Sequence, residues 1–450
     1  MEENEINKPT GMKAFMIIWF GRLISIFGSM MTGFALMIWI WTTTGEATPF
    51  AIFGFAYFAP LLIATPLAGV YVDRWNRKFS MMLGDLGAGG ATVIVYLLVI
   101  TGNLEVWHLY ITGVVSGFFG AFQFPAFSAS ITLMVSKENY ARASGLMSLA
   151  DTSSGLIAPV LAATILAIGG IQTVLLIDIF TFSAAVGTLF IVRIPEPVKE
   201  KVKGSLKDIF KETTYGFKYI LKRRSLLGLL TVFLVINIFF TIGNTVRTPM
   251  ILARTGNNSY ALASVQTAAA LGGVVGGSLL ALWGGPKKRI RGIFVCMLFS
   301  SLIGGVMMGI GRSVLIWGIG SFAVSFLMVI LGGCSQSFWQ SKVAPEIQGK
   351  VFATRRLLAQ LAIPVASLVA GPMADKVFEP MMNGSSSTGT TFGLLVGNGV
   401  GSGMALMYLL TGLFGTVIAL VGYNIKHIRE AEDILPDNDV KSDAVTTASC

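Results

Sequence analysis

Long apolar runs recur along this chain, each closed by a short polar break. Twelve can be traced, at about residues 14–41, 49–70, 79–101, 106–134, 144–168, 171–193, 225–249, 260–283, 290–311, 314–341, 352–373 and 402–424. A helix crosses a bilayer with about 20 predominantly apolar residues, and these runs have that length. The pattern predicts an all-α polytopic membrane protein with twelve transmembrane helices. The last two runs are separated by Asn383 to Gly403, a stretch rich in Gly, Ser and Thr.

Composition agrees with the pattern. The chain has 450 residues, 54% of them hydrophobic and only 12% charged, with mean hydropathy +0.72. The net charge of +10 would suit a nucleic-acid partner, but the bases lie in alternate breaks between the runs. With the N-terminus inside, 28 of the 33 Lys and Arg fall on the cytoplasmic side. That asymmetry places both termini in the cytoplasm of a plasma (inner) membrane and leaves no nucleic-acid role. The opening Met1-Glu2-Glu3-Asn4-Glu5 lacks the basic start of a cleavable signal, so the first run is expected to remain a membrane helix. Three cysteines and two histidines show no metal or redox spacing, and no cofactor is expected. There is no phosphate loop of the G-x-x-x-x-G-K type and no nucleophile–base arrangement. ATP-driven pumping and enzymatic chemistry are therefore not expected.

The basic stretch 195–224 divides the chain. Residues 1–194 form one six-helix half and 225–424 the other, with a disordered cytoplasmic tail from 425 to 450. Within the divider, Leu206, Ile209, Phe210, Phe217, Ile220 and Leu221 recur at helical spacing among lysines. They predict an amphipathic helix lying on the inner leaflet. The halves echo each other. Glu138 precedes Arg142 by four residues after the fourth run, and Glu346 precedes Lys350 by four after the tenth. Such internal duplication is how many secondary transporters are built, with the substrate site between pseudo-symmetric halves.

One turn carries a motif. Gly69-Val70-Tyr71-Val72-Asp73-Arg74-Trp75-Asn76-Arg77-Lys78 joins the second and third runs. This G-x-x-x-D-R-x-x-R-K order closely resembles the loop motif of the major facilitator superfamily, with Asn76 where that family usually has Gly. Asn tolerates a left-handed turn, so it is expected to fill the same place. On the fifth run, Gly145, Ser154, Ala158, Pro159, Ala162 and Ala163 keep the spacing of the superfamily's antiporter motif with other small residues in place of glycines. Trp283-Gly284-Gly285-Pro286-Lys287-Lys288-Arg289 and Ala344-Pro345-Glu346-Ile347-Gln348-Gly349-Lys350 extend the likeness over nearly the whole chain. It is greatest to bacterial macrolide-efflux-type and siderophore-exporter-like members.

That resemblance implies a proton-coupled exporter of a small amphiphilic compound, working as a monomer by rocking its halves. Gly69, Asp73, Arg74, Arg77 and Lys78 would form the conformational-switch loop. The superfamily lines its cavity with the first, fourth, seventh and tenth helices. The matching polar stripes contain Arg22 and Ser25, Gln123, Asn237 and Asn244, and Gln336 and Gln340, with Trp339 among interleaved aromatics. Ionisable groups inside the bilayer are functional candidates. Arg22 and Asp151 could share a depth and pair, and their separation would let Asp151 take a proton. Asp85 is expected to join the charge network of the loop, and Asp178 to sit near the outer surface as a structural group. Two other readings remain open: a non-transporting membrane sensor or assembly protein, and an uptake symporter.

Overall fold

The computed structural model describes residues 11–74, 76–136, 139–192, 194, 217–383 and 387–434. Five long helices come first: α1 (Gly11–Thr44), α2 (Ala47–Arg74), α3 (Arg77–Ile100), α4 (Val106–Met134) and α5 (Tyr140–Ile191). Then come α6 (Arg224–Arg254), α7 (Ser259–Trp283), α8 (Arg289–Gly309), α9 (Val314–Lys342) and α10 (Pro345–Met373). A π-helical turn (Ala374–Phe378) leads into α11 (Glu379–Asn383), followed by α12 (Ser387–Val396), α13 (Ser402–Asn424), α14 (Lys426–Arg429) and α15 (Ala431–Ile434).

Among the described residues, eleven helices are long and apolar enough to cross a membrane. One of them accounts for two of the twelve runs. Helix α5 has 52 residues, and drawn straight it would be about 78 Å long, more than twice a bilayer core. It breaks at Gly170, where φ is 69° and ψ is −176°, a conformation essentially confined to glycine. Trp19 Nε1 of α1 donates to Leu146 O at 2.8 Å, and a Cβ on Gly21 would stand 2.6 Å from Thr188 Oγ1. Both ends of α5 therefore lie against one stretch of α1, and the element doubles back at Gly170. Twelve crossings in two halves result.

The chain forms two compact units, Met1–Gly204 with Thr255–Thr267, and Ser205–Arg254 with Ala268–Cys450. In the first unit, α1 packs along both arms of α5, and α4 packs against α2 and α3. Two apolar clusters bracket the middle of α1. One holds Phe15 and Ile18 with Val72, Met81, Phe122, Phe127 and Leu189. The other holds Leu36 and Ile40 with Phe50, Val95, Leu109 and Leu175. The polar positions Arg22, Ser25, Ser29 and Thr32 lie between them. In the second unit the core gathers Leu226, Leu229, Ile293, Phe294, Phe338 and Trp339. Large apolar side chains such as Ile63, Ile168, Phe180, Leu282 and Leu315 are left exposed. That much exposed apolar surface needs a lipid environment.

The amphipathic helix expected in 195–224 falls mostly outside the described residues, since 195–216 are not among them. Its last turn is helical, with Ile220 buried and Phe217 and Leu221 exposed. The disordered tail expected from 425 is corrected over its first residues. Ile428 and Ala431 are buried, Glu432 Oε1 accepts from the Arg289 amide at 2.7 Å, and Lys342 Nζ donates to the Glu432 carbonyl at 2.6 Å. Helices α14 and α15 thus strap the ends of α8 and α9, because a carboxylate at a helix N-terminus meets unsatisfied amides.

Candidate functional site: a polar cavity in the first unit

Small and polar residues at helical spacing on α1 open a cavity against α2, α3, α4 and the second arm of α5. Its larger part has a volume of about 340 Å³ and takes Ser29, Thr32, Thr92 and Asp178 together with Phe50, Phe53, Phe58 and Phe182. A smaller part of about 220 Å³ contains Arg22, Ile18, Met81, Thr188 and Leu189. Ser25, Ser29, Tyr57, Asp85 and Gln123 line both parts, so the two adjoin along a shared wall.

Arg22 lies over the Phe127 ring, 4.8 Å from its centroid, a cation–π arrangement that suits a guanidinium away from water. Gln123 Nε2 donates to Asp85 Oδ1 at 3.0 Å. Asp85 is the stronger source of negative charge on Arg22, and Asp151 the weaker. Asp85 therefore belongs to the cavity. The Arg22–Asp151 pairing is corrected in this conformation. Among the described residues no ion pair joins them, and Asp151 is exposed on the first arm of α5. The reason lies in helix faces. Ser154 and Ala158 carry the buried face of that arm, Ser154 Oγ bonding back to Ala150 O at 2.6 Å, while Asp151 lies on its exposed face.

The rest of the antiporter-like helix is as compact as its small residues permit. Ala158, Ala162 and Ala163 are fully buried, Pro159 is buried inside the helix, and Gly145 is exposed.

At the loop, Gly69, Asp73 and Arg74 end α2, and their side chains lie outside the described residues, as do those of Glu138, Glu346 and Lys350. Asn76 does not adopt a left-handed turn. Its φ is −60°, and its side chain caps α3, accepting from the amides of Lys78 at 2.8 Å and Phe79 at 3.3 Å. Asn is a strong N-cap because its oxygen meets an amide that has no partner in the helix. Lys78 Nζ donates to Val192 O at 3.2 Å, where α5 ends, and lies 5.8 Å from the Phe190 ring centroid. A cation there also complements the helix dipole. Arg77 opens α3.

The cavity residues expected in the second unit lie on two helices. Asn237 and Asn244 are half-buried on α6, while Gln336 and Gln340 are exposed on α9. Trp339 is 1% exposed, packed in the core instead of lining an open surface. Arg355 of α10 is held over it, 5.2 Å from the ring centroid, and donates to Ser335 Oγ at 2.9 Å.

Asp178, expected near the outer surface as a structural group, is a further member of the cavity. It lies eight residues past Gly170, about 12 Å along the helix, and is 3% exposed. Ser29 Oγ donates to its Oδ1 at 3.2 Å and Thr92 Oγ1 to its Oδ2 at 3.1 Å. Gly28 permits that approach, since a Cβ there would stand 2.8 Å from Oδ1. The available signal was a set of hydroxyls on α1 and α3. Only the packing shows that they face one carboxylate. Among the described residues no group of three His, Cys, Asp or Glu could hold a transition metal.

A membrane bundle of two six-crossing units, with a polar cavity set in apolar walls, defines a secondary transporter. The sequence pattern of the Major Facilitator Superfamily matches residues 18–367, and the chain belongs to that superfamily. Macrolide efflux protein A of Streptococcus pyogenes is 26% identical over 380 residues, which cover 81% of this chain and 90% of that one. Enterobactin exporter EntS of Shigella flexneri is 23% identical over 225 residues, 48% of this chain and 52% of that one. A bacterial homologue of the iron transporter ferroportin, solved in an inward-facing state, matches with a TM-score of 0.67. It is 13% identical, covering 92% of this chain and all of that one, a likeness of fold alone.

Proposed function

We propose that this protein exports a small amphiphilic organic compound across the plasma (inner) membrane in exchange for protons. It works as a monomer by alternating access, with both termini in the cytoplasm. The observation that carries this reading is the cavity of the first unit, where an arginine, a carboxylate and an amide (Arg22, Asp85 and Gln123) sit among Phe50, Phe53, Phe58 and Phe182. Apolar walls with a few convergent polar groups suit an amphiphile. The macrolide and enterobactin exporters among its relatives support the outward direction. Proton coupling is assigned to Arg22 and the acids that act on it, Asp85 first and Asp151 second. Any motion or substrate that moves Arg22 relative to these acids changes the positive charge they feel, and so how readily they exchange a proton.

The test is transport in proteoliposomes holding the purified protein, with a panel of macrolides and siderophores and an imposed proton gradient. Substrate movement against its gradient, accompanied by proton flow the other way, is expected. Flux in the same direction as protons would make it an uptake symporter. A folded protein that moves none of the panel would favour a non-transporting sensor or assembly role.

A further inference from the structure

Asp178 stands apart from the charges at the Arg22 end of the cavity. Among the described residues, two charged side chains are buried, Lys342 and Asp178. Lys342 has the Glu432 carbonyl as an acceptor. Asp178 has hydroxyl donors, and no charged group acts on it. A carboxylate at this depth without a countercharge is expensive.

Two details of its surroundings exceed what a helix-to-helix hydrogen bond needs. Bonds from a hydroxyl to a carboxylate are about 2.5–2.7 Å long, whereas those from Ser29 and Thr92 are 3.2 and 3.1 Å. The oxygens enclose more space than their hydrogen bonds require. Beside them, Thr32 Oγ1, in a residue 7% exposed, lines the cavity and faces the same carboxylate, without a hydrogen bond of good geometry. Buried polar atoms without one are uncommon. Thr92 Oγ1 also lies 3.5 Å from Ala88 O, so its hydrogen has a second acceptor and a lone pair can turn inward.

We propose that Asp178, Ser29, Thr32 and Thr92 form a binding site for one alkali cation, Na⁺, inside the first unit. Every donor atom is an oxygen, the ligand type of a hard cation. The single carboxylate balances a single positive charge. A divalent ion would leave the buried site charged, and Ca²⁺ takes six to eight oxygens. A proton needs one acceptor, which leaves the wide spacing and the third hydroxyl without a role. Ser29 is exposed to the cavity, which provides an entry path. Arg22 and Asp85 line the cavity too but are not among the groups acting on Asp178. The site goes beyond the export reading and stands or falls separately, because its test needs no substrate.

The full-length protein, purified in choline chloride at fixed pH, is titrated with NaCl while its melting temperature is followed, with further choline chloride as control. A saturable, Na⁺-specific rise is expected. Asp178→Asn should lose it. Thr32→Val should raise the Na⁺ concentration for half-effect by about fivefold or more, with Thr32→Ser close to wild type, in line with one lost ligand oxygen. If Asp178→Asn does not fold, Thr32→Val decides, since the hydroxyl it removes makes no hydrogen bond of good geometry. No Na⁺-specific rise overturns the proposal. So does a rise that persists in Asp178→Asn or is unchanged in Thr32→Val, or one that pH alone reproduces without Na⁺.

Discussion

Gln123 on α4 holds Asp85 on α3 through a bond of 3.0 Å from Nε2 to Oδ1, and so fixes the acid in the cavity that Arg22 enters. Hydrogen bonds to charged groups are worth about 1.5–3 kcal/mol. Asp85→Asn is expected to slow proton-driven export by about tenfold or more, at 1.4 kcal/mol per factor of ten. Asp151→Asn, exposed and further from Arg22 in effect, should slow it less. Transport rates of the two variants under one imposed gradient check the order. Equal losses, or a larger one for Asp151→Asn, would return the coupling role to Asp151.

Arg22 and Asp85 are expected to be coupled in stability as well. Arg22→Met leaves an acid in the bilayer without its cation, a cost of about 2.5–3.5 kcal/mol on insertion scales. The double variant Arg22→Met with Asp85→Asn should unfold at a higher temperature in detergent than Arg22→Met alone. Strictly additive effects would show that the two side chains do not sense each other.

Asn76→Ala should destabilise the first unit by about 1 kcal/mol, the usual cost of a lost N-cap, and Asn76→Gly by only a few tenths. Thermal unfolding of the two variants distinguishes the cap seen here from a turn that merely needs a permissive backbone. If the cap is the reason, Asn76→Asp should stay close to the parent, since Asp caps as well as Asn.

Glu432→Ala should detach the C-terminal strap. The bond from the Arg289 amide, at 2.7 Å, is lost from the start of α8, at a cost of about 1 kcal/mol. Limited proteolysis should then cut within 426–434 faster than in the parent. An unchanged cleavage rate would mean that burial of Ile428 and Ala431 suffices alone.

Much of this architecture is legible in the runs themselves, because a bilayer forces every crossing to be a long apolar helix. The break at Gly170 coincides with the gap between the fifth and sixth runs, since a lone glycine pair is all that separates them. The polar cavity was half legible. Arg22, Ser25 and Gln123 stand on periodic stripes and meet in one space. Asp85 and Asp178 were set elsewhere, since depth counted along one helix does not say which neighbour a side chain faces. The same limit governs Trp339, whose aromatic character suited a cavity wall while its packing put it in a core. Asn76 shows the opposite case. A departure from the family's glycine looked like tolerance of a turn, and it is a different local solution with its own hydrogen bonds.

Gly170→Ala puts a Cβ into backbone geometry that only glycine holds without strain, at a cost of about 1–3 kcal/mol, and a lower melting temperature is the expected result. The wider consequence of that residue is mechanical. Most neighbouring crossings in a bundle are joined by a loop with slack, which lets each tilt on its own. Here the fifth and sixth crossings meet at a single residue with no loop between them, so a tilt of the arm carrying Asp151 is expected to be felt by the arm carrying Asp178. Two acids 27 positions apart in the chain are thereby geared together, and lengthening that corner by a few flexible residues should let one turn without the other.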